Sequence, residues 1–245
     1  MLIMDREIVI ATADSHSSKH WINKRTGWHE FVISLRETHR TEETAAEFSE
    51  MEPEKKNQIK NCRGGFVGGA LHQKGPRNKR NIKYRSLLTL DADYCKTDIE
   101  EAVKKLGCAC CIYSTHSHRK GHERYRVIIL LDRDIEPEKY EPLSRMVASK
   151  IGIEMFDTTT HQCQRLMYYP STPKDGEYYF REIDGEPLNT EAVLGEYPHG
   201  WEDTEAWPRG SRETKPVGTN LREQKDPLKK PGIIGAFCRA YPITK

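Results

Sequence analysis

The alternation of apolar and polar residues predicts a compact sheet-and-helix core in the second part of the chain. An apolar run ends at Asp91, helical stripes with a spacing of three to four residues follow, and alternating or apolar runs separate them. The predicted elements are a strand over Ser86–Asp91, a helix over Thr97–Gly107, strands over Ala109–Ser114 and Tyr125–Leu131, a helix beginning at Pro137 with Tyr140, Leu143, Val147 and Ile151 buried, and a closing strand over Gln164–Tyr169. This β-α-β-β-α-β order predicts an α+β, ferredoxin-like core.

The first part of the chain is less regular. We predict strands over Glu7–Ala13 and Trp28–Ser34, a helix over Thr41–Met51 with Thr41 as its cap, and a glycine-bracketed short strand or turn over Gly64–Leu71. Gly195–Pro231 has the composition of a linker. We therefore expect one domain over 1–194, with an N-terminal α/β unit of about 1–84 and a core of about 85–194. The segment 195–245 is then a linker and the start of a truncated C-terminal region.

Composition narrows the class of protein. Of the 245 residues 36% are hydrophobic and 31% charged, and the longest strongly apolar run, Val127–Leu131, is too short to cross a bilayer. The N-terminus shows no secretory signal, and the seven cysteines form no repeated framework, so we expect reduced thiols in a cytoplasmic protein without membrane partners. Ten Lys/Arg and no acidic residue lie between Lys55 and Arg85. Such a segment is a solvated loop or a surface for a polyanion.

Asp91 and Asp93 are the first candidates for chemistry. Residues two apart on a strand point the same way, so both carboxylates lie together at the end of an apolar run. Two unit charges about 4 Å apart repel by about 4 kcal/mol at an effective dielectric constant of about 20, and a bound cation relieves that repulsion. Carboxylates that span two Mg²⁺ or Mn²⁺ ions are typical of nucleotide-polymerising enzymes. Two solvated acids at the start of a loop are the alternative.

Four further residues extend this hypothesis. Ser114 and His116 end the second core strand and suit phosphate oxygens, although a surface turn is the more common reason for such a pair. Asp157 is either a third carboxylate of the site or a cap before Thr158. Arg165, on the predicted closing strand, has a guanidinium that suits bidentate phosphate contact. A charge on a half-exposed strand is its alternative.

The ordered set Leu90-Asp91-Ala92-Asp93, Ser114-Thr115-His116, Phe156-Asp157 and Arg165 resembles the archaeo-eukaryotic primase (primase-polymerase) superfamily, particularly its phage and plasmid branch. That family carries a hydrophobic run with Asp-x-Asp or Asp-x-Glu, a Ser-x-His and a hydrophobic-Asp on an RRM-like core. The resemblance covers about Gly64 to Ser171. It implies that two Mg²⁺ or Mn²⁺ ions are held by Asp91, Asp93 and Asp157. It also implies that the nucleotide triphosphate is bound by Ser114, His116 and Arg165.

The sequence departs from the family pattern at two points. Ile112 stands where some relatives have a lysine, so Arg124, Arg126 or the stretch Arg77–Arg80 is expected to supply triphosphate contacts. No clear zinc module is present. The template phosphates are expected to be bound by the basic residues Arg77, Lys79, Arg80 and Lys83.

The resemblance implies an enzyme, a DNA primase or primase-polymerase that makes or extends primers on single-stranded DNA in phage or plasmid replication. Its substrates are then nucleoside triphosphates, NTP or dNTP, and a single-stranded DNA template. The ending Gly232–Tyr241 resembles the segment that follows such domains in phage primase–helicase proteins. A helicase region is therefore expected C-terminal to this chain.

Three other hypotheses stay open at this point. A nicking replication initiator of the HUH type is suggested by His116-Ser117-His118 with Tyr168 or Tyr169 as nucleophile, but it leaves Asp91 and Asp93 without a role. A non-catalytic, single-stranded nucleic-acid-binding RRM-like module is disfavoured because Ser86–Asp91 carries no aromatic residue. A zinc site would use cysteines and histidines whose spacing matches no common finger: Cys108, Cys110, Cys111, His116 and His118.

Overall fold

The computed structural model describes residues 5–72 and 75–213. One compact unit ends at Gly210, and a second runs from Ser211 to Lys245, of which only 211–213 are described. The strands are β1 (Glu7–Ala13), β2 (Ile22–Gly27), β3 (His39–Arg40), β4 (Gly65–Val67), β5 (Gly69–Leu71), β6 (Ile82–Ala92), β7 (Cys110–Ser114), β8 (Tyr125–Ile135), β9 (Met167–Tyr168), β10 (Ser171–Thr172) and β11 (Phe180–Ile183). The helices are α1 (Trp28–Ser34), α2 (Ala45–Glu50), α3 (Pro53–Lys60), α4 (Ile99–Lys104), α5 (Pro137–Ile151) and α6 (Thr190–Leu194).

The predicted core is a five-stranded antiparallel sheet with the order β11-β7-β8-β6-β5. The succession β6, α4, β7, β8, α5 agrees with the prediction, and the α+β fold class is confirmed. Tyr140, Leu143, Val147 and Ile151 are buried on α5, as their spacing predicts. They pack in one apolar cluster with residues of β6, β7 and β8. The first helix of the core begins two residues later than predicted, because Asp98 rather than Thr97 caps it.

The prediction that Gln164–Tyr169 forms the closing strand of the core was wrong. Only Met167–Tyr168 is extended there, and it pairs with β4 in a second sheet of order β2-β1-β4-β9. The edge of β6 is taken instead by β5. A Cβ on Gly69 would lie 2.1 Å from the carbonyl oxygen of Tyr84, so only glycine allows this close pairing. Short strands on either side of Gly68 thus serve two different sheets.

The N-terminal predictions were right for one element and wrong for others. β1 has the predicted bounds, but Trp28–Ser34 is a helix, not a strand. Trp28, Phe31, Val32 and Leu35 are buried, and their spacing of three, four and seven residues is that of a helix face. The next helix starts only at Ala45, because Thr44 and not Thr41 forms the capping box with Glu47. The helix α3 was not predicted.

The C-terminal part of the compact unit continues beyond α6. Trp201 and Trp207 lie in 195–210, the beginning of the predicted linker, and pack against the main apolar cluster. The predicted truncated segment Gly232–Tyr241 lies outside the described residues. Among residues 5–72 and 75–213, no helix is long and apolar enough to cross a bilayer.

Candidate functional site

A cavity of about 170 Å³ lies where β6 ends. It receives side chains from β6, from the β7–β8 connection, from β8, from the segment before β10 and from α3. The residues that line it are Asn57, Lys60, Asp91, Asp93, Thr115, His116, Ser117, Arg124, Arg126, Arg165, Tyr168 and Ser171. Half of the predicted site residues therefore meet here, although they are far apart in the sequence: Asp91, Asp93, His116, Arg124, Arg126 and Arg165.

Strand register places the first ion pair. Asp91 of β6 is directly opposite Arg126 of β8, and Arg126 is opposite Tyr113 of β7. The Nε atom of Arg126 is 3.8 Å from Oδ1 of Asp91. The Arg126 guanidinium also lies 5.8 Å from the centre of the Tyr113 ring and 5.6 Å from that of Tyr168. A buried charge pair thus follows directly from antiparallel pairing.

Arg165 joins two of the predicted carboxylates. Its Nη2 lies 3.0 Å from Oδ2 of Asp91 and 3.5 Å from Oδ2 of Asp157. The backbone N–H of Asp157 donates to the carbonyl oxygen of Asp91 over 2.9 Å. Oδ1 of Asp157 accepts from both the N–H and the hydroxyl of Thr159 at 2.6 Å. Asp157 is therefore a cap, and it also lies beside Asp91.

Asp93 is the second carboxylate in the cavity lining, and among the described residues Asp157 lies outside that lining. Nη1 of Arg124 lies 3.4 Å from its Oδ1. Burial raises the pKa of Asp93, the charge of Asp91 raises it further, and Arg124 and Arg126 oppose that rise. The carboxylates therefore repel each other in a poorly solvated place, as the spacing of Asp91 and Asp93 predicts.

Three buried polar atoms in this cavity have no hydrogen-bond partner among the described residues. They are Oδ1 of Asp91, Nε of Arg126 and Nε of Arg165. Leaving a buried donor or acceptor unsatisfied costs about 1–3 kcal/mol, so folded proteins rarely do so without a reason. One acceptor and two donors are thus available to a ligand that carries both a cation and anionic oxygens.

The carboxylates were tested as ligands for the divalent ions that the resemblance implies. The free Oδ1 of Asp91 and the carboxylate of Asp93 are oxygen donors of the kind that Mg²⁺ and Mn²⁺ prefer. Asp157 lies beside them but is engaged by Thr159 and Arg165. No group of three or more His, Cys, Asp or Glu within the described part of the chain is arranged to hold a metal. Asp91 and Asp93 supply carboxylate oxygens of the kind that suit such an ion, whereas Asp157 is turned to Thr159 and Arg165.

His116 lies on the other wall of the cavity and is tied on both ring nitrogens. Its Nε2 lies 2.9 Å from Oε1 of Glu43, and its Nδ1 lies 2.9 Å from the hydroxyl of Ser171. The ring of Phe48 packs edge-on at 4.5 Å. Burial lowers the pKa of His116, and the charge of Glu43 opposes this shift. Glu43 was missed from the sequence because it lies 73 residues from His116, in a segment without any regular spacing.

Lys60 is the second functional candidate that sequence reasoning missed. It lines the cavity from the last turn of α3. Burial lowers the pKa of Lys60, and Arg124 lowers it further, whereas Asp93 raises it. The only sequence signal was its place in the basic segment that begins at Lys55.

Some predicted site residues lie elsewhere. Ser114 is buried outside the cavity lining, and its hydroxyl accepts from the N–H of Tyr179 over 2.9 Å, because β7 ends at Ser114 and the alternation stops there. Among the described residues the predicted template-binding group stays outside the lining too: Arg77, Lys79, Arg80 and Lys83. Arg77 donates to the carbonyl of Gln164 and lies over the Trp21 ring.

The comparison with protein families covers nearly the whole compact unit. Residues 1–210 match the VapE N-terminal domain. This chain belongs to the VapE N-terminal domain family. The span of the resemblance, about Gly64 to Ser171, lies within the matched residues.

Two solved structures are similar to this VapE N-terminal domain at low sequence identity. One is the AEP domain of the cyanophage S-2L primase-polymerase (PrimPol), with 16% identity, 54% of this chain and 68% of that chain covered, and a TM-score of 0.39. The other is primase RepB′, with 8% identity, 78% of this chain and 56% of that chain covered, and a TM-score of 0.37. Both likenesses are too distant to support a conclusion about residues. No curated protein matches the chain.

The geometry of the VapE N-terminal domain separates the two histidines of the nicking hypothesis. His116 faces Glu43 and Ser171, whereas Nδ1 of His118 accepts from the N–H of Arg124 at 3.2 Å. Among the described residues His118 is not part of the cavity lining. The cysteines of the zinc hypothesis are buried in the sheet, and burial raises the pKa of Cys108 to about 11. The positions of the two histidines do not favour strand nicking, and the burial of the cysteines does not favour a zinc site.

Proposed function

We propose that this VapE N-terminal domain catalyses template-directed nucleotidyl transfer, as a DNA primase or primase-polymerase. The observation that carries the proposal is the cavity in which carboxylates and arginines meet with Oδ1 of Asp91, Nε of Arg126 and Nε of Arg165 left without partners in the described part of the chain. The substrates are nucleoside triphosphates and a single-stranded DNA template. The family supports this assignment and supports a helicase region as its partner in the full-length protein.

Opposite charges in one cavity suit a nucleotide with its divalent ions. Asp91 and Asp93, joined by Asp157, would hold two Mg²⁺ or Mn²⁺ ions through their oxygens. When bound, such ions lower the pKa of an attacking hydroxyl and neutralise a leaving pyrophosphate. Arg126 and Arg165 donate to phosphate oxygens, for which a guanidinium fork is well shaped.

Arg165 has two roles in this proposal. Without substrate it neutralises Asp91 and Asp157, which lie 3.0 and 3.5 Å from its Nη2. A nucleotide brings its own cations and anions, so the guanidinium exchanges carboxylate oxygens for phosphate oxygens. His116, whose two ring nitrogens contact Glu43 and Ser171, forms the opposite wall.

The reaction joins a primer 3′-hydroxyl, or the 3′-hydroxyl of an initiating nucleotide, to the α-phosphate of the incoming nucleotide. The hydroxyl loses its proton, the new O–P bond forms, and the bond to pyrophosphate breaks. The contribution of the chain is to hold the reactants in line and to stabilise the charge that builds up on the phosphates.

Incorporation of labelled nucleotide on single-stranded templates with Mn²⁺, with and without a primer, tests this function. We expect wild-type protein to form product, Asp93→Asn to lose it, and Asp184→Asn to retain it. Asp184 is exposed and outside the cavity, so it is a matched control for loss of one carboxylate. Absence of product under all conditions would refute the proposal, and a covalent protein–DNA adduct would assign the protein to strand nicking instead.

A further inference from the structure

The helix α3 is held to the domain in an unusual way. An ordinary surface helix is stabilised by an apolar stripe that packs against the core. None of the residues of α3, Pro53–Lys60, is buried. Its side chains nevertheless reach two cavities: Asn57 and Lys60 line the cavity at Asp91, and Lys56 lines a second one.

The second cavity has a volume of about 210 Å³ and a positively charged lining. It shares Ser117 and Arg124 with the first cavity, so the two are contiguous. Its lining holds no carboxylate within the described residues and consists of Phe48, Ser49, Lys56, Ser117, Arg119, His122 and Arg124. Such a surface attracts anions and repels cations.

The cations along this path exceed their acidic partners. Lys56 and Lys60 are four residues apart on α3, and like charges at that spacing destabilise a helix. Lys60 forms no ion pair with any residue in 5–72 or 75–213, and its ammonium lies 5.6 Å from the Phe48 ring centre. The Nζ atom of Lys56 donates to a backbone carbonyl, that of Ser49, over 2.9 Å. An anionic ligand would balance both charges.

At the buried end of the same path, an arginine donor also lacks a hydrogen-bond acceptor. Arg126 is only 8% exposed, and its Nε has no hydrogen-bond partner in the described part of the chain. Cationic side chains follow one another from Arg126 at the inner end, through Lys60 and Arg124, to Lys56 and Arg119 at the outer end. Arg124 also lies 3.4 Å from Oδ1 of Asp93. This succession suits several linked phosphate groups rather than one.

We propose that α3 is a phosphate-binding helix, in which Lys60 with Arg124 binds one phosphate group and Lys56 binds the next in the adjoining cavity. The inference deepens the proposed nucleotidyl transfer and rests on it for the identity of the substrate. The chemistry recognised is a chain of phosphate oxyanions, which either the triphosphate tail of a nucleotide or the backbone of a nucleic acid strand supplies. Lys60 is then a residue of the binding site.

Direct binding to the whole chain tests the proposal without catalysis. Inorganic tripolyphosphate and a short single-stranded DNA are titrated separately, with chelator present, into wild type, Lys60→Gln, Lys56→Gln and Lys60→Arg. Lys55→Gln is the matched control, because Lys55 is exposed on the same helix and lines neither cavity. Thermal unfolding of each variant checks that the fold is intact.

We expect Lys60→Gln to raise the Kd by about tenfold, since one charge-assisted hydrogen bond is lost, and Lys56→Gln to raise it by about threefold. Lys60→Arg and Lys55→Gln should bind as wild type does. A raised Kd for tripolyphosphate indicates that the path binds the triphosphate tail of a nucleotide. A raised Kd for DNA alone indicates that it binds the backbone of a nucleic acid strand. Both results support a phosphate-binding helix. Equal Kd values for Lys60→Gln and Lys55→Gln with both probes, or no binding by wild type, would overturn the inference.

The result is separable from the proposed function. If wild type incorporates nucleotide while Lys60→Gln binds both probes normally, only the inference about α3 fails. If the variants differ in binding as expected while wild type never incorporates nucleotide, only the nucleotidyl-transfer proposal fails.

Discussion

Arg85 and Arg126 are two buried arginines on neighbouring strands of the same sheet, and they are satisfied very differently. Arg85 is fully buried, and its guanidinium packs 4.1 Å from the centre of the Tyr140 ring. Its Nε donates to the carbonyl of Gly68 at 3.0 Å. The other nitrogens donate to the carbonyls of Cys163 and Leu87 and to the hydroxyl of Thr89. This charge joins three segments of backbone.

Arg126 has far fewer partners. Its Nη1 donates to the carbonyl of Tyr168 at 3.3 Å, and Nε is 3.8 Å from Asp91 without a hydrogen bond. Because a buried donor without an acceptor is costly, a chain that keeps one gains something other than stability. A buried arginine whose nitrogens all donate stabilises the fold, whereas a buried arginine whose Nε has no acceptor, beside carboxylates, indicates a place for a ligand.

The largest expected effect concerns the carboxylates of the cavity at the end of β6. Asp93→Asn should lower nucleotide incorporation by about a thousandfold or more, because a ligand to the divalent ions is lost, and several kcal/mol of transition-state stabilisation go with it. The free energy of unfolding at pH 7 should stay the same or rise, since burial and Asp91 already disfavour the ionised form of Asp93. Incorporation assays and denaturant unfolding check the two parts. Full activity in the variant would contradict the role of Asp93.

The two arginines themselves should separate stability from binding. Arg85→Met should lower the free energy of unfolding by about 3 kcal/mol or more, because it leaves backbone carbonyls and the Thr89 hydroxyl without donors in the core. Arg126→Met should cost only about 1 kcal/mol, since Asp91 keeps Arg165 as a partner. Urea unfolding measures both values, and nucleotide affinity should fall for Arg126→Met alone. A larger loss of unfolding free energy for Arg126→Met than for Arg85→Met would contradict this distinction between the two arginines.

Arg165 is expected to have an intermediate effect. Arg165→Ala should raise KM for the nucleotide by about tenfold and change template affinity much less, because its guanidinium reaches the carboxylates rather than the predicted template-binding residues. Steady-state kinetics with varied nucleotide and fluorescence anisotropy with labelled template separate these quantities. A larger loss of template affinity would reassign Arg165 to the template.

The smallest expected effect is a pH dependence that arises away from the cavity. Burial lowers the pKa of His161 to about 3, and its Nδ1 lies 2.8 Å from the Ser144 hydroxyl. The unfolded chain takes up this proton below about pH 6.5 while the folded chain does not. The contribution of neutral His161 to the free energy of unfolding is thus complete above about pH 6.5 and decreases as the pH is lowered. Between pH 7.5 and 5.5 the loss should be about 1 kcal/mol.

His161→Gln measures this contribution separately from that of His116, whose pKa burial also lowers. The variant should show a shallower fall in the free energy of unfolding between pH 7.5 and 5.5 than wild type does. Parallel pH profiles for the two proteins would show that His161 is not the group responsible.

What the sequence predicted well depends on local periodicity. The bounds of β1, the buried stripe of α5 and the juxtaposition of Asp91 with Asp93 all follow from spacing within one element. Asp157 and Arg165 were placed through the family resemblance, and both lie beside Asp91.

What was missed depends on contacts between distant segments. Lys60 reaches the cavity, and Glu43 reaches His116, from parts of the chain without a buried stripe, so no periodicity points to them. The strand Met167–Tyr168 pairs with β4 because β5 already occupies the edge of β6, and that choice depends on the close approach permitted at Gly69. Trp28–Ser34 was wrong because a short apolar run was interpreted with a period of two where four buried positions have a helical period.

The central claim is that the unsatisfied cavity at the end of β6 binds a nucleotide together with divalent ions. Crystals grown with Mn²⁺ and a non-hydrolysable nucleoside triphosphate test it most directly through anomalous scattering. The account predicts manganese peaks within coordination distance of Asp91 and Asp93, with phosphate oxygens on Arg126 and with Arg165 withdrawn from Asp157. A nucleotide bound elsewhere, or Asp91 and Asp93 without manganese in well-ordered crystals, would contradict it.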